Sequence, residues 1–126
     1  MVDRFLTNIM TEDVAATRDF YVTALGLSVH FDSDWYVILT PQDGPRFELG
    51  IISKGSDVVP EAFRALPQGV YLTFVVADVD EAAARIQNAG IALVEPPTDT
   101  FYGQRRLLVQ DPNGLLVDIS SPTPRG

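Results

Sequence analysis

Hydrophobic and polar residues follow two periods along this chain, and the two periods come in the same order twice. Phe5–Met10 alternates, with Leu6, Asn8 and Met10 on one side and Phe5, Thr7 and Ile9 on the other, which predicts a strand. Val14, Thr17, Phe20, Tyr21, Ala24 and Leu25 then fall at helical spacing. Asp13 is the predicted N-cap of that helix and Gly26 its stop. Three further strands are predicted at Leu27–Phe31, Trp35–Thr40 and Arg46–Ile52, with a turn at Asp32-Ser33-Asp34 and a loop at Pro41–Pro45. Ser53–Gln68 carries Gly55, Pro60 and Pro67 and reads as a connector with one helical turn at Glu61–Ala65.

The order then repeats. Val70–Val76 predicts a strand, with Tyr71, Thr73 and Val75 on one face. Asp78 caps a helix and Glu81 is placed to complete a capping box. Val79, Ala82, Ala83, Ile86 and Ala89 form its apolar stripe, and Gly90 ends it. A strand at Ile91–Val94 and a proline-rich loop at Glu95–Phe101 follow, then strands at Gln104–Gln110 and Leu115–Ser120, and a polar tail from Ser121. Between the last two strands, Asp111-Pro112-Asn113-Gly114 suits a type I turn residue by residue. The final strand puts Leu116, Asp118 and Ser120 on one face, so a carboxylate stands at mid-strand.

The pattern is an internal repeat of βαβββ units. Asp13 aligns with Asp78, Gly26 with Gly90, and Phe47-Glu48-Leu49 with Val117-Asp118-Ile119. It predicts an α+β fold in which two βαβββ modules, residues 4–53 and 69–121, make one domain of 126 residues. The modules are expected to form a curved mixed sheet around a cavity, with the helices outside. Asn8, Glu48, Tyr71, Thr73 and Asp118 are predicted on the inner face, the usual place for a small ligand.

Composition narrows the function classes. A hydrophobic fraction of 46% supports a folded core, and the absence of cysteine excludes disulfide and thiolate chemistry. A net charge of −8, with Arg105-Arg106 the only adjacent basic pair, argues against nucleic acid. No apolar run reaches membrane-spanning length. Met1-Val2-Asp3-Arg4 has no leader pattern, so a cytoplasmic location is expected.

The chain resembles the vicinal oxygen chelate superfamily, which includes glyoxalase I, bleomycin-resistance proteins and extradiol dioxygenases. The resemblance rests on Asp13-Val14 through Asp19-Phe20-Tyr21 and Leu25-Gly26-Leu27 in the first half. In the second half it rests on Val75–Val79, Ala89-Gly90 and Asp111-Pro112-Asn113-Gly114. It implies a homodimer. In metal-using members it implies one ligand from the first strand of each half and one from the last. The first-strand positions, seven residues before each capping aspartate, are Leu6 and Tyr71 here, and the late-strand positions are Glu48 and Asp118. Leucine cannot bind a metal and a neutral tyrosine is a poor ligand. The expected cofactor is therefore none, with Mg²⁺ or Mn²⁺ at Glu48 and Asp118 as the alternative.

The resulting expectation is a metal-independent small-molecule binding protein acting by sequestration. The alternative is a lyase or isomerase with Glu48 or Asp118 as general base. Asn8, Trp35, Tyr71, Thr73, Tyr102 and Arg105 are the candidate ligand-binding residues. Trp35, Tyr36, Phe101 and Tyr102 offer aromatic walls, and one of Arg105 and Arg106 must face inwards. His30, the only histidine, is expected to point outwards, because Val29 and Phe31 claim the opposite face.

Overall fold

Each helix starts at an aspartate in extended backbone. Asp13 accepts a hydrogen bond from the Ala16 amide at 2.9 Å, and Asp78 accepts from the Asp80 and Glu81 amides at 3.1 and 3.2 Å. These bonds satisfy amides that the first helical turn leaves without partners. The helices are α1 (Val14–Leu25) and α2 (Val79–Asn88). Gly26 ends α1 in the left-handed region, at φ 64°. After α2, the amides of Gly90 and Ile91 bond back to the carbonyls of Gln87 and Ile86, with Gly90 at φ 80°. This is the Schellman arrangement.

The structure, a computed structural model, describes residues 1–123, so the end of the expected polar tail lies outside the described residues. The chain divides into two units, Met1–Pro67 and a second that begins at Gln68. The first holds α1 and the strands β1 (Thr7–Thr11), β2 (Ser28–Asp32), β3 (Tyr36–Thr40) and β4 (Leu49–Ser53), in the spatial order β1-β4-β3-β2. The second holds α2 and β5 (Leu72–Val75), β6 (Glu95–Asp99), β7 (Gln104–Gln110) and β8 (Leu116–Pro122), in the matching order β5-β8-β7-β6. Each sheet is mixed, because β1 runs parallel to β4 and β5 to β8, while the other pairs are antiparallel. The α+β class and the βαβββ order of each unit are as the hydrophobic pattern predicts. No helix among the described residues is long and apolar enough to cross a membrane.

In the first unit, α1 packs on β3 and β4 and buries Phe20, Tyr21 and Ala24 with Ile9, Val37, Leu39, Leu49 and Ile51. In the second, α2 packs on β6, β7 and β8 and buries Val79, Ala82, Ala83 and Ile86 with Leu107, Val109, Val117 and Ile119. Strand alternation therefore turns the neighbouring residues of each sheet to the face away from its helix. Asn8, Tyr36, Gly50 and Ile52 take that face in the first unit, and Thr73, Arg106, Leu108 and Asp118 in the second.

Three expectations are corrected. The strand expected at Ile91–Val94 is displaced to Glu95–Asp99, the segment read as a proline-rich loop. Ile91 is committed to the end of α2, and β6 is an edge strand whose register with β7 skips from Glu95 to Thr98. Pro96 and Pro97 fall in that skip, where no ladder donor is required. Next, β4 begins at Leu49, so Glu48 precedes the strand it was assigned to. Last, the repeat is aligned differently. Asn8 and Thr73 each stand five residues before a capping aspartate, and their ladder partners are Gly50 and Asp118. The counterpart of Asp118 is thus Gly50, not Glu48.

Candidate functional site

The open faces of the two sheets differ in how well their polar groups are satisfied. On the first, the Tyr36 hydroxyl donates to Asn8 Oδ1 at 2.8 Å. Asn8 lies directly over Gly50: a β-carbon at Gly50 would stand 2.0 Å from Asn8 Oδ1 and 3.0 Å from the Tyr36 hydroxyl. Glu48 is gripped by Arg4, whose Nε donates to Oε2 at 2.6 Å and whose Nη2 donates to Oε1. The Arg4 bond holds the Glu48 carboxyl below the usual carboxylate range; burial works against this, and the charges of Arg4 and His30 reinforce it. Burial pushes the Tyr36 hydroxyl up, against the pull of Arg4 and with the push of Glu48.

His30 is exposed on β2, as expected, at the register shift between Val29 and Phe31.

On the second sheet the balance is different. Asp118 is only 5% exposed, and its Oδ2 accepts from the Thr73 hydroxyl at 3.3 Å. Its other oxygen, Oδ1, has no hydrogen-bond partner among the described residues. Arg106 Nε and Gln104 Oε1, on the same face of the adjacent strand β7, are also buried without partners. Arg106 Nη2 approaches Glu95 Oε2 at 4.0 Å. Burial pushes the Asp118 carboxyl up from its ordinary value, opposed by the Arg106 charge and the Thr73 hydroxyl and aided by Glu95. A buried polar group left unpaired costs about 1–3 kcal/mol. Three on one face make an arrangement that a ligand with matching donors and acceptors would complete.

The remaining candidates are scattered. Arg105, the arginine proposed for ligand contact, faces the helix: its Nη2 and Nε bind Asp80 at 3.0–3.3 Å and its Nη1 binds Asp99 at 3.2 Å. The inward arginine is Arg106. Tyr71 precedes β5 and is 57% exposed. Tyr102 is half-exposed in the β6–β7 turn, edge-on to Phe101 with 5.3 Å between ring centroids. Trp35 stacks on Tyr36 at 5.5 Å and walls a separate groove of about 420 Å³ with Ser53, Gly55, Ser56, Asp57 and Val58. Sequence reading missed Arg4, Gln104 and Glu95. Gln104 and Arg106 share the strand parity of Leu108, so the partners of Asp118 were within reach of a register argument; Arg4 lies ahead of β1 and gave no signal.

The family model of the Glyoxalase/Bleomycin resistance protein/Dioxygenase superfamily matches residues 3–119. The chain belongs to this superfamily. An uncharacterized protein of Mycobacterium bovis is 26% identical over 129 residues, covering 91% of this chain and 80% of that protein. A solved structure described as a conserved domain protein has a TM-score of 0.79 at 25% identity and covers 98% of this chain and 100% of its own. TioX from Micromonospora has a TM-score of 0.75 at 20% identity, covering 96% and 99%. A glyoxalase/bleomycin resistance protein/dioxygenase from Nocardioides has a TM-score of 0.71 at 22% identity, covering 100% and 89%. For a superfamily that hosts many chemistries, likeness at this level establishes the fold and leaves activity to the site.

Proposed function

We propose that this chain binds a small organic molecule on the open face of its second sheet without a metal ion, and that it acts by sequestering that molecule. The observation that carries this reading is that Asp118 Oδ1 and Arg106 Nε, on the same face of neighbouring strands, are both buried without hydrogen-bond partners among the described residues. A ligand that donates to Asp118 and accepts from Arg106 would relieve both deficits. Metal chelation of the superfamily kind is disfavoured by the donor set. Leu6 has no donor, and Glu48 is held by the Arg4 guanidinium. Among the described residues no three His, Cys, Asp or Glu side chains are grouped to hold an ion. The test is a thermal-shift screen of fragments carrying adjacent N–H or O–H donors and carbonyl acceptors, with elemental analysis of the purified protein. Hits that stabilise the wild type and lose their effect in Arg106→Ala support the reading. A stoichiometric, tightly held metal overturns it.

The burial that raises Asp118 favours one second reading, a lyase or isomerase with Asp118 as general base. Asp118 would take a proton from a carbon next to a carbonyl, and Arg106 would stabilise the oxygen that gains the charge. Return of the proton at a neighbouring carbon completes an isomerisation, whereas expulsion of a leaving group completes an elimination. Glu48 is poorly suited to that part, because its partner keeps it ionised and occupied. If Asp118→Asn keeps ligand affinity and loses turnover, catalysis is favoured over sequestration.

A further inference from the structure

The Arg4–Glu48 pair joins two groups with very different surroundings. Met1, Val2 and Phe5 are all largely exposed, and the segment precedes the first strand. The Arg4 side chain is 59% exposed, whereas the Glu48 side chain is only 10% exposed. A shielded carboxylate is thus matched to a guanidinium delivered by a lightly anchored strap. The contact is bidentate, with Nε and Nη2 each donating to a separate carboxylate oxygen. This is the planar fork that a guanidinium offers and an ammonium does not. Tyr36 lies within electrostatic reach of both partners, and its ring is flanked by Trp35 at 5.5 Å and Phe31 at 6.2 Å.

We propose that Glu48 is a receptor for a planar organic cation of the guanidinium class, which the chain's own Arg4 fills as an intramolecular stand-in. The geometry of a bound guanidinium is therefore already displayed by the protein. A free cation of this class displaces Arg4 and releases the residues ahead of β1. Because Arg4 is tethered, it competes at an effective concentration of the order of millimolar. Removing it exposes the site. This inference concerns the first unit and does not depend on the reading of Asp118.

Ethylguanidinium chloride is the probe, titrated by calorimetry at constant ionic strength into the wild type, Arg4→Ala and the double variant Arg4→Ala/Glu48→Gln. The expected result is about tenfold tighter binding to Arg4→Ala than to the wild type. No binding is expected to the double variant, and weaker binding of ethylammonium than of ethylguanidinium. Equal affinity for the wild type and Arg4→Ala overturns the proposal, as does binding that survives in the double variant. Hydrogen exchange in the wild type gives a second reading that needs no variant. Saturating ethylguanidinium should speed exchange of the Arg4 Nε proton, which the bond to Glu48 Oε2 protects, and unchanged exchange there also overturns the displacement.

Discussion

The side-chain oxygen of Asn8 occupies the space in which a β-carbon on Gly50 would stand, 2.0 Å from its ideal position. The two residues are ladder partners in β1 and β4, as Thr73 and Asp118 are in β5 and β8. Where the second unit carries a carboxylate, the first has removed the side chain and filled the place with an amide bonded to Tyr36. One duplicated unit has closed its polar face, and the other has left donors and acceptors unpaired.

Gly50→Ala should therefore destabilise the first unit by about 1–2 kcal/mol, through displacement of Asn8 and loss of the Tyr36 hydrogen bond. Urea denaturation measures the loss. Asn8→Ala/Gly50→Ala should recover part of it, because the clash is with the Asn8 side chain. If the double variant is as unstable as the sum of the singles, the crowding lies elsewhere.

Asp118→Asn should raise thermal stability at neutral pH while removing ligand-induced stabilisation. The folded carboxyl titrates above its ordinary value, so ionisation costs the folded state. That cost is absent below the unfolded pKa of about 3.9 and is fully developed above the raised folded value. The gain in Tm of the variant over the wild type should therefore grow from acid to neutral pH. A gain that is constant with pH would count against the burial argument.

The adjacent arginines should behave oppositely. Arg105→Ala breaks bonds to Asp80 and Asp99 on the helix side and should lower Tm slightly without changing ligand affinity. Arg106→Ala should abolish the thermal shift given by ligands of the second sheet. Equal effects of the two substitutions on affinity would refute the face assignment.

Arg4→Ala should lose stability in a pH-dependent way. The folded Glu48 carboxyl lies below its ordinary value because of Arg4. The pair's contribution is thus present above the unfolded pKa of about 4.3 and is lost as pH falls through the folded one. Tm measured for the wild type and the variant should differ at pH 7 and converge in acid. Added salt should also narrow the gap, since Arg4 is largely exposed.

The second sheet shows where sequence reading reached its limit. The turn at Asp111–Gly114 forms with the Gly114 amide bonded to the Asp111 carbonyl at 3.0 Å. From it, the parity of β8 follows, and Asp118 does stand with Thr73 on one face. Which arginine joins them depends on the register of β7 with β8, which the turn between the two strands implies but the alternation of β7 alone does not. Arg106 pairs with Ser120 and Leu108 with Asp118 only once the strands are aligned.

Local chemistry determined what depends on neighbours in the chain. The aspartate caps, the glycine stops, the alternating strands and the duplicated βαβββ order are set by backbone geometry and by periods of two and 3.6 residues. Tertiary structure decided what depends on partners far along the chain. It put β6 on a proline-bearing edge, shifted the counterpart of Asp118 to Gly50 and brought Arg4 onto Glu48, forty-four residues away. It also left Asp118 Oδ1 and Arg106 Nε unpaired. The physical reason is that hydrogen bonding and burial are properties of pairs and surroundings. A carboxylate is the same residue in the sequence whether it meets an arginine, a threonine or nothing.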